Sequence, residues 1–169
     1  ANYQFHDMRS ETPYSIIAKD ATKFNMIDPY FTGVYTSNFG LNINAGARWN
    51  IHSQYGNQLV YNVNPSFYFD NEIPIKIFSS ISTAFITPSL YQLYSEYGTS
   101  TLTPEKNTTI ESGFEVGLLN KKLTFNAVRF YREQNNSIGF DATYHYANVE
   151  GVNSVVMSQG YINADIAVW

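Results

Sequence analysis

The sequence predicts an all-β protein, an antiparallel transmembrane β-barrel of which this chain supplies an incomplete run of about nine strands. Three observations carry that expectation. Several segments alternate apolar and polar residues with period two over the length of a tilted membrane-spanning strand. Tight and long connections alternate along the chain, as they do at the two ends of such a barrel. Aromatic residues are 17% of the 169 residues and charged residues 14%, against about 25% charge in an ordinary soluble domain.

Mean hydropathy is nonetheless -0.26, and no run of 18 apolar residues exists, so no transmembrane helix is expected. A barrel reconciles these values, because lipid-facing and lumen-facing residues cancel in the mean. Composition alone fits a soluble β-sandwich equally well, since that fold also favours Tyr, Val, Ile and Thr. The formal charge of -4 argues against a nucleic-acid partner. Zero Cys excludes a disulfide scaffold and a thiolate metal site. Ala1 opens directly in ANYQF, without a basic start or an apolar core, so the chain is either mature or lacks its true beginning.

Residues 1–5 read as the end of a strand, with Tyr3 and Phe5 alternating against Asn2 and Gln4. Residues 6–26 show no clear period and read as a long outer loop. Residues 29–37 (PYFTGVYTS) form the next strand, and Asn38-Phe39-Gly40 a tight turn. Residues 41–51 are the cleanest element. Leu41, Ile43, Ala45, Ala47, Trp49 and Ile51 fall on one face, and Asn42, Asn44, Gly46, Arg48 and Asn50 on the other. That polar face suits a wet lumen or a solvated sheet face alike.

Residues 52–57 (HSQYGN) make an intermediate connection, and residues 59–69 repeat the alternation. Pro65, which donates no ladder bond, needs an edge, a bulge or a strand end there. Asp70-Asn71-Glu72 is a tight turn before a strand over 73–85, and Asn120-Lys121-Lys122 another after a strand over 108–118. Residues 123–133 begin in phase and slip near Ala127–Val128, which predicts a bulge. A weaker strand covers 138–149 and a last one 161–169. Aromatic residues gather near strand ends (Tyr30, Phe31, Phe67 to Phe69, Phe85, Phe130, Tyr131), as in an interfacial girdle. Nine strands suit no closed barrel with an even count. The chain therefore reads as a piece of a larger one.

Between the strands ending at Phe85 and starting at Thr108 runs a long Tyr-, Ser- and Thr-rich loop. The phrase Ser82-Thr83-Ala84-Phe85, Pro88, Leu90, Tyr91, Leu93, Tyr94 is followed by Tyr97-Gly98, Leu102, Pro104-Glu105-Lys106 and Glu111, Gly113, Glu115. In its order and density this region resembles the barrel of TonB-dependent outer-membrane receptors. Phe130-Tyr131-Arg132, Ile138, Phe140, Tyr146 and Asn148 continue the resemblance. Residues 38–67 look like the vitamin B12 receptor branch found in Bacteroidetes.

The resemblance implies a bacterial outer-membrane receptor that takes up a scarce, bulky small-molecule substrate, cobalamin being the most specific, with siderophore or glycan import the close variant. It implies TonB as a partner acting through a plug domain absent from this chain, outer-membrane lipids around the wall, and a possible surface lipoprotein. It implies no cofactor and no enzymatic activity. The chain departs from the family after residue 154, where Val155-Val156-Met157 replaces the usual Gly and Glu. An eleven-residue connection over 150–160 then falls where turns should be tight, so that residues are absent there or the reading fails. Trp169 would suit a terminal aromatic, but Asn163 and Asp165 sit where apolar residues are expected, which reads as truncation.

The residues offer no catalytic constellation. His6, His52 and His145 are scattered and read as surface residues rather than ligands. Glu111 and Glu115 share a strand face, which admits general acid–base work, but with Asn42, Asn44 and Arg48 they read better as lumen-facing groups. Tyr91, Tyr94 and Tyr97 on the long loop, and His52, Ser53 and Tyr55 on its neighbour, are the expected ligand-binding residues, because flat amphipathic rings and hydroxyls adapt to a bulky ligand. The same tyrosines could instead pack the loops against each other. A soluble β-sandwich adhesin or carbohydrate-binding module is the alternative of a different class. It would bury one face of every strand.

Overall fold

The computed structural model of the chain describes residues 2–7, 10–11, 16–17, 23–149 and 152–168. The strands are β1 (Asn2–Asp7), β2 (Ser10–Glu11), β3 (Ile16–Ile17), β4 (Lys23–Asp28), β5 (Tyr30–Thr36), β6 (Leu41–His52), β7 (Gly56–Phe69), β8 (Ile75–Ile86), β9 (Glu105–Leu118), β10 (Leu123–Val149) and β11 (Val152–Val168), with one helix, α1 (Leu90–Tyr94). β2 and β3 pair with each other. The remaining nine form one antiparallel sheet ordered β1, β4, β6, β7, β8, β9, β10, β11, with β5 also on β6. β4 and β5 run in line along β6, interrupted at Pro29, whose carbonyl still accepts from Trp49 N at 2.9 Å. The sheet is open, an incomplete β-barrel.

Period-two side chains and nearest-neighbour pairing give every strand two chemically distinct faces. Ile43, Ala45, Ala47 and Trp49 lie opposite Pro65, Val63, Tyr61 and Leu59. The apolar face continues through Ile77 and Ile81 of β8 to Phe114 and Ile110 of β9. It stays bare: Phe31, Phe125 and Ile77 are 75%, 55% and 51% exposed. A soluble sandwich would bury these side chains at roughly 25 cal/mol per Å2. A barrel wall leaves them for lipid.

β10 differs most from expectation. The slip expected at Ala127–Val128 does not occur. β9 and β10 stay in one register from Leu118 opposite Leu123 to Lys106 opposite Asn135. Val128 and Phe130 therefore share the face of Gly113 and Glu111, and Arg129 pairs with Ser112 on the apolar side. The irregularity lies at Asn135–Asn136, where the β10–β11 register shifts between Gln134 and Ser137. Asn136 has φ of 55°, a left-handed conformation that Asn tolerates better than most side chains. One unbroken strand of 27 residues thus replaces the two expected over 123–133 and 138–149.

Residues 152–160, expected within a connection, extend β11 instead, pairing Val152 to Val149 through Gly160 to Asp141. The connection shrinks to 150–151, outside the described residues, and moves to the end opposite the tight turns. The 52–57 connection also shrinks, to 53–55. Residues 23–26, expected in a loop, belong to β4. The rest of that expected loop lies largely outside the described residues, as does Trp169. Pro65 sits inside the sheet rather than at an edge. The β7–β8 ladder breaks beside it, between Val63–Ile81 and Ser66–Phe78, so no donor is needed there. Of the expected girdle, Phe31, Phe67, Phe69 and Tyr131 lie on the apolar face. Tyr30 and Phe130, opposite Arg48 and Glu111, lie on the polar one.

Gly113 is required by close approach. A Cβ there would stand 2.5 Å from the Ala127 carbonyl oxygen and 2.8 Å from Phe78 Cζ. Gly113→Val is expected to destabilise the full-length protein by about 1–3 kcal/mol, read as a lower melting temperature in detergent. Adding Phe78→Ala should restore only part of the loss, since the carbonyl contact remains. At the β10 irregularity, Asn136→Gly should be nearly neutral, and Asn136→Val should cost about 1–2 kcal/mol. Equal melting of these two variants would contradict the left-handed bulge.

Candidate functional site

One end of the sheet carries the tight turns 37–40, 70–74 and 119–122. The other gathers connections 53–55 and 87–104 and the upper part of the β10–β11 hairpin. Residues 87–104 are folded rather than slack. Ser89 caps α1: Gln92 N donates to Ser89 Oγ at 3.2 Å, and Ser89 N to Gln92 Oε1 at 2.8 Å. This capping box was legible as Ser89-x-x-Gln92, although the sequence reading placed no helix there. Pro88, Leu90, Leu93 and Leu102 are buried and give the loop its own core. After the helix, a Cβ on Gly98 would lie 2.7 Å from backbone atoms of Leu93, Tyr94 and Ser95. Only glycine lets the chain double back so closely, which accounts for the Tyr97-Gly98 pair.

The hairpin holds this loop from one side. Tyr161 N donates to Tyr97 O at 3.1 Å, and Thr103 N donates to Asn163 Oδ1 at 2.9 Å. Asn163 Nδ2 donates back to Thr103 O and, at 2.7 Å, to Asn136 O. Tyr97 meets Phe140 edge-on at 5.9 Å, Phe140 meets Tyr161 at 5.4 Å, and Tyr91 meets Tyr161 at 6.4 Å. Two of the three loop tyrosines therefore pack against strands. Tyr91 is still 55% exposed, and Tyr94 and Tyr97 are half-buried.

The residues at the 53–55 turn divide by role. His52 is buried, not the surface residue expected from its position. Its Nδ1 accepts from Gln54 N and Tyr55 N at 3.1 and 3.3 Å, which closes the turn and places the ring proton on Nε2. Ser53 ties the turn to β4, its Oγ accepting from Asn25 N at 3.1 Å and its N donating to Asn25 O at 3.0 Å. Tyr55 donates to Leu102 O at 3.4 Å, joining turn to loop. Burial, and then the nearby Tyr94, push the Tyr55 phenol above its usual range, so it remains a neutral donor.

His6, Phe24, His52 and Tyr55 form a ladder of rings across β1, β4 and the end of β6, with centroid spacings of 4.5, 4.6 and 5.0 Å. Met26 lies opposite His52 and Ile27 opposite Ile51, so Asp28 and Asn50 come next on the two strands. His52 Nε2, Asp28 Oδ1 and Asn50 Oδ1 are buried without a hydrogen-bond partner among the described residues. Such groups are costly unless something further satisfies them.

Asn42 and Asn44 lie opposite Ser66 and Asn64, and Arg48 opposite Val60. Glu111 lies opposite Ser80 and Phe130, and Glu115 opposite Lys76 and Asn126. All five occupy the polar face. Glu105 was named in sequence only as part of a phrase. It is buried, its Oε1 accepts from Asn107 Nδ2 and Gln134 Nε2 at 2.7 Å each, and its Oε2 accepts from Ile138 N at 3.3 Å. One carboxylate thus joins the start of β9 to both sides of the β10 irregularity, a charge-assisted arrangement.

A family model described as TonB dependent receptor-like, β-barrel, matches residues 2–164. No curated protein matches the chain. Proteins of that family are Gram-negative outer-membrane receptors and transporters that work with TonB on small-molecule substrates. The open, two-faced antiparallel sheet with its folded loop at one end is part of such a wall, and the chain belongs to the TonB-dependent receptor β-barrel family.

Proposed function

We propose that the chain is part of the single transmembrane barrel domain of a receptor that imports a scarce, bulky nutrient, with the plug domain and remaining strands lying outside it. In this reading the tight turns face the periplasm and the loop end faces the cell exterior. The polar face, with Asn42, Asn44, Arg48, Glu111 and Glu115, lines the lumen. Substrate meets Tyr91, Tyr94, Tyr97 and Tyr55 at the mouth, and TonB then acts through the plug to open a path. The barrel wall performs no bond chemistry.

The observation that carries the reading is the loop 87–104. It has a buried core, a capped helix and a glycine-dependent return, yet leaves Tyr91 more than half exposed. Ordering a loop costs about 1–2 kcal/mol per residue in backbone entropy. A core inside the loop offsets that cost before any ligand arrives, which is how a binding surface is preorganised. The unpartnered Asp28, Asn50 and His52 atoms lie near the same end and suit a polar contact from plug or substrate. Cobalamin is the substrate favoured by the resemblance over residues 38–67. A siderophore or a glycan would use the same mouth, and a surface lipoprotein could cover it.

The full-length receptor, purified in detergent, is expected to bind cobalamin, and changing Tyr91, Tyr94 and Tyr97 together to Ala should weaken binding at least about tenfold, or about 1.4 kcal/mol. Hydrogen exchange of the Leu93 and Leu102 amides in the same variant reports whether the loop core survives. No cobalamin binding by the parent would remove that substrate and leave siderophores and glycans to be titrated. Unchanged affinity in the variant would move the site away from this loop.

A further inference from the structure

Arg129 is out of place. The unbroken β9–β10 register sets it on the apolar face, opposite Ser112, which in turn lies opposite Ser79. All three are exposed. Above and below them on the same face are Ile81, Ile110 and Tyr131, and Ile77, Phe114 and Ala127. A cation among lipid-facing side chains is costly, and where one persists it marks a contact that neutralises it. Among the described residues Arg129 has no carboxylate partner or hydrogen bond. The remaining polar residues of this face on β10 do not supply one, since Glu133 lies opposite Thr108, four residues further along the strand.

Arg129 also borders a groove. A depression of about 890 Å3 runs over β7 to β10, its floor formed by small or flat residues (Pro65, Ser79, Ser112, Ala127) between Phe67 and Phe114, with Arg129 on its lining. The broken ladder at Pro65 and the absence of bulk at Ser79 and Ser112 open it. Its surface is overwhelmingly apolar, and an acyl chain matches it in shape and chemistry.

The position along the strand decides which leaflet is involved. On β8 to β10 the apolar band ends upward at Ile81, Ile110 and Tyr131, and Thr83, Thr108 and Glu133 follow. Arg129 lies two residues below Tyr131 and four below Glu133, roughly 7 and 13 Å along a strand that rises about 3.3 Å per residue and tilts by about 40°. A long cationic side chain in that place can snorkel to the headgroups of the leaflet at the loop end. With the loop end outward, that leaflet is the external one.

We propose that Arg129, with the groove running from Pro65 to Ala127, is a binding site for a phosphorylated glycolipid of the outer leaflet. The guanidinium holds the lipid phosphate, with the Ser112 hydroxyl beside it, and an acyl chain lies in the groove over Ser79, whose hydroxyl donates to Glu111 O at 3.0 Å. The proposal rests on the apolar face meeting lipid and on the loop end facing the cell exterior, and is independent of which nutrient is imported. Guanidinium suits phosphate because its planar donors pair with two oxygens at once.

The test is native mass spectrometry of the full-length receptor, delipidated in detergent and titrated with diphosphoryl lipid A. The same lipid without its phosphates, and phosphatidylglycerol, serve as comparisons. Arg129→Gln should weaken lipid A binding at least about fivefold, and Arg129→Lys should keep part of it. Ser112→Phe, which fills the groove and leaves the charge, should weaken it as well. Dephosphorylated lipid should bind the parent and Arg129→Gln alike. Heat-modifiable migration on gels confirms that each variant is folded. Equal lipid A binding by parent and Arg129→Gln overturns the proposal. So does an Arg129 effect on phosphatidylglycerol alone, or loss of a self-associated species in Arg129→Gln with lipid binding unchanged. If barrel folding itself is lost in every variant, the reading of this face as a lipid-facing wall fails first, and melting of the parent in lipid-free detergent separates that failure from the absence of a lipid site.

Discussion

A backbone that crosses hydrocarbon must satisfy its own hydrogen bonds, because no water is there to do so. Most features of this chain follow from that requirement. β4 and each strand from β6 to β10 run between two neighbours, while β5 pairs with β6 alone among the described residues, and the departures from regular pairing are few and placed. Pro65, which has no donor to offer, coincides with the one break in the β7–β8 ladder. The β10 irregularity at Asn136 lies at the rim, where Asp165 Oδ1 accepts from Asn136 N at 2.7 Å and Glu105 receives Ile138 N. Side chains thus supply the acceptors that the interrupted ladder does not.

The same pairing fixes chemistry on both faces. Since a one-residue slip would reverse every side chain, the register that turns Leu41, Ile43 and Ala45 to one side also commits Asn42, Asn44 and Arg48 to the other. It commits exceptions as firmly as rules. Gly113 admits the Phe78 ring on the polar face, and Arg129 is held on the apolar one. A soluble sheet could relieve such an exception by twisting the strand end into water. A strand in the middle of a wall cannot.

Strict alternation made β6 to β9 readable to within about three residues at either end, because burial by lipid on one side and water on the other writes a binary code. Legibility failed where that code does not apply. Beyond the rim both faces of a strand meet water or loops, so 23–26 and 152–160 carry no clear period and read as connections, although they pair as strands. The slip expected at Ala127–Val128 would have kept apolar Val128 and Phe130 on the face of Phe125 and Ala127. Tertiary register overrode that preference. Asn135-Asn136 looked like the gap between two strands because Asn favours turns. A bulge uses the same conformation without reversing the chain. At the candidate site the tyrosines were visible as residue types, but the contacts of Tyr91 and Tyr97 with Tyr161 and Phe140 join segments far apart in sequence. The burial of His52 depends on β1, β4 and β6 together, and the role of Glu105 on the pairing of β9 with β10.

The central claim is that β6 has one face toward lipid and the other toward a water-filled lumen. The chain contains no cysteine, so single cysteines can be introduced at successive positions from Asn42 to Asn50 of the full-length receptor in whole cells and exposed to a small, membrane-impermeant thiol reagent. Labelling is expected with period two, strong at Asn42, Asn44, Gly46 and Arg48 and weak at Ile43, Ala45, Ala47 and Trp49, with Asn50 protected by its burial. Uniform labelling along the strand, or labelling of the opposite set, would contradict it.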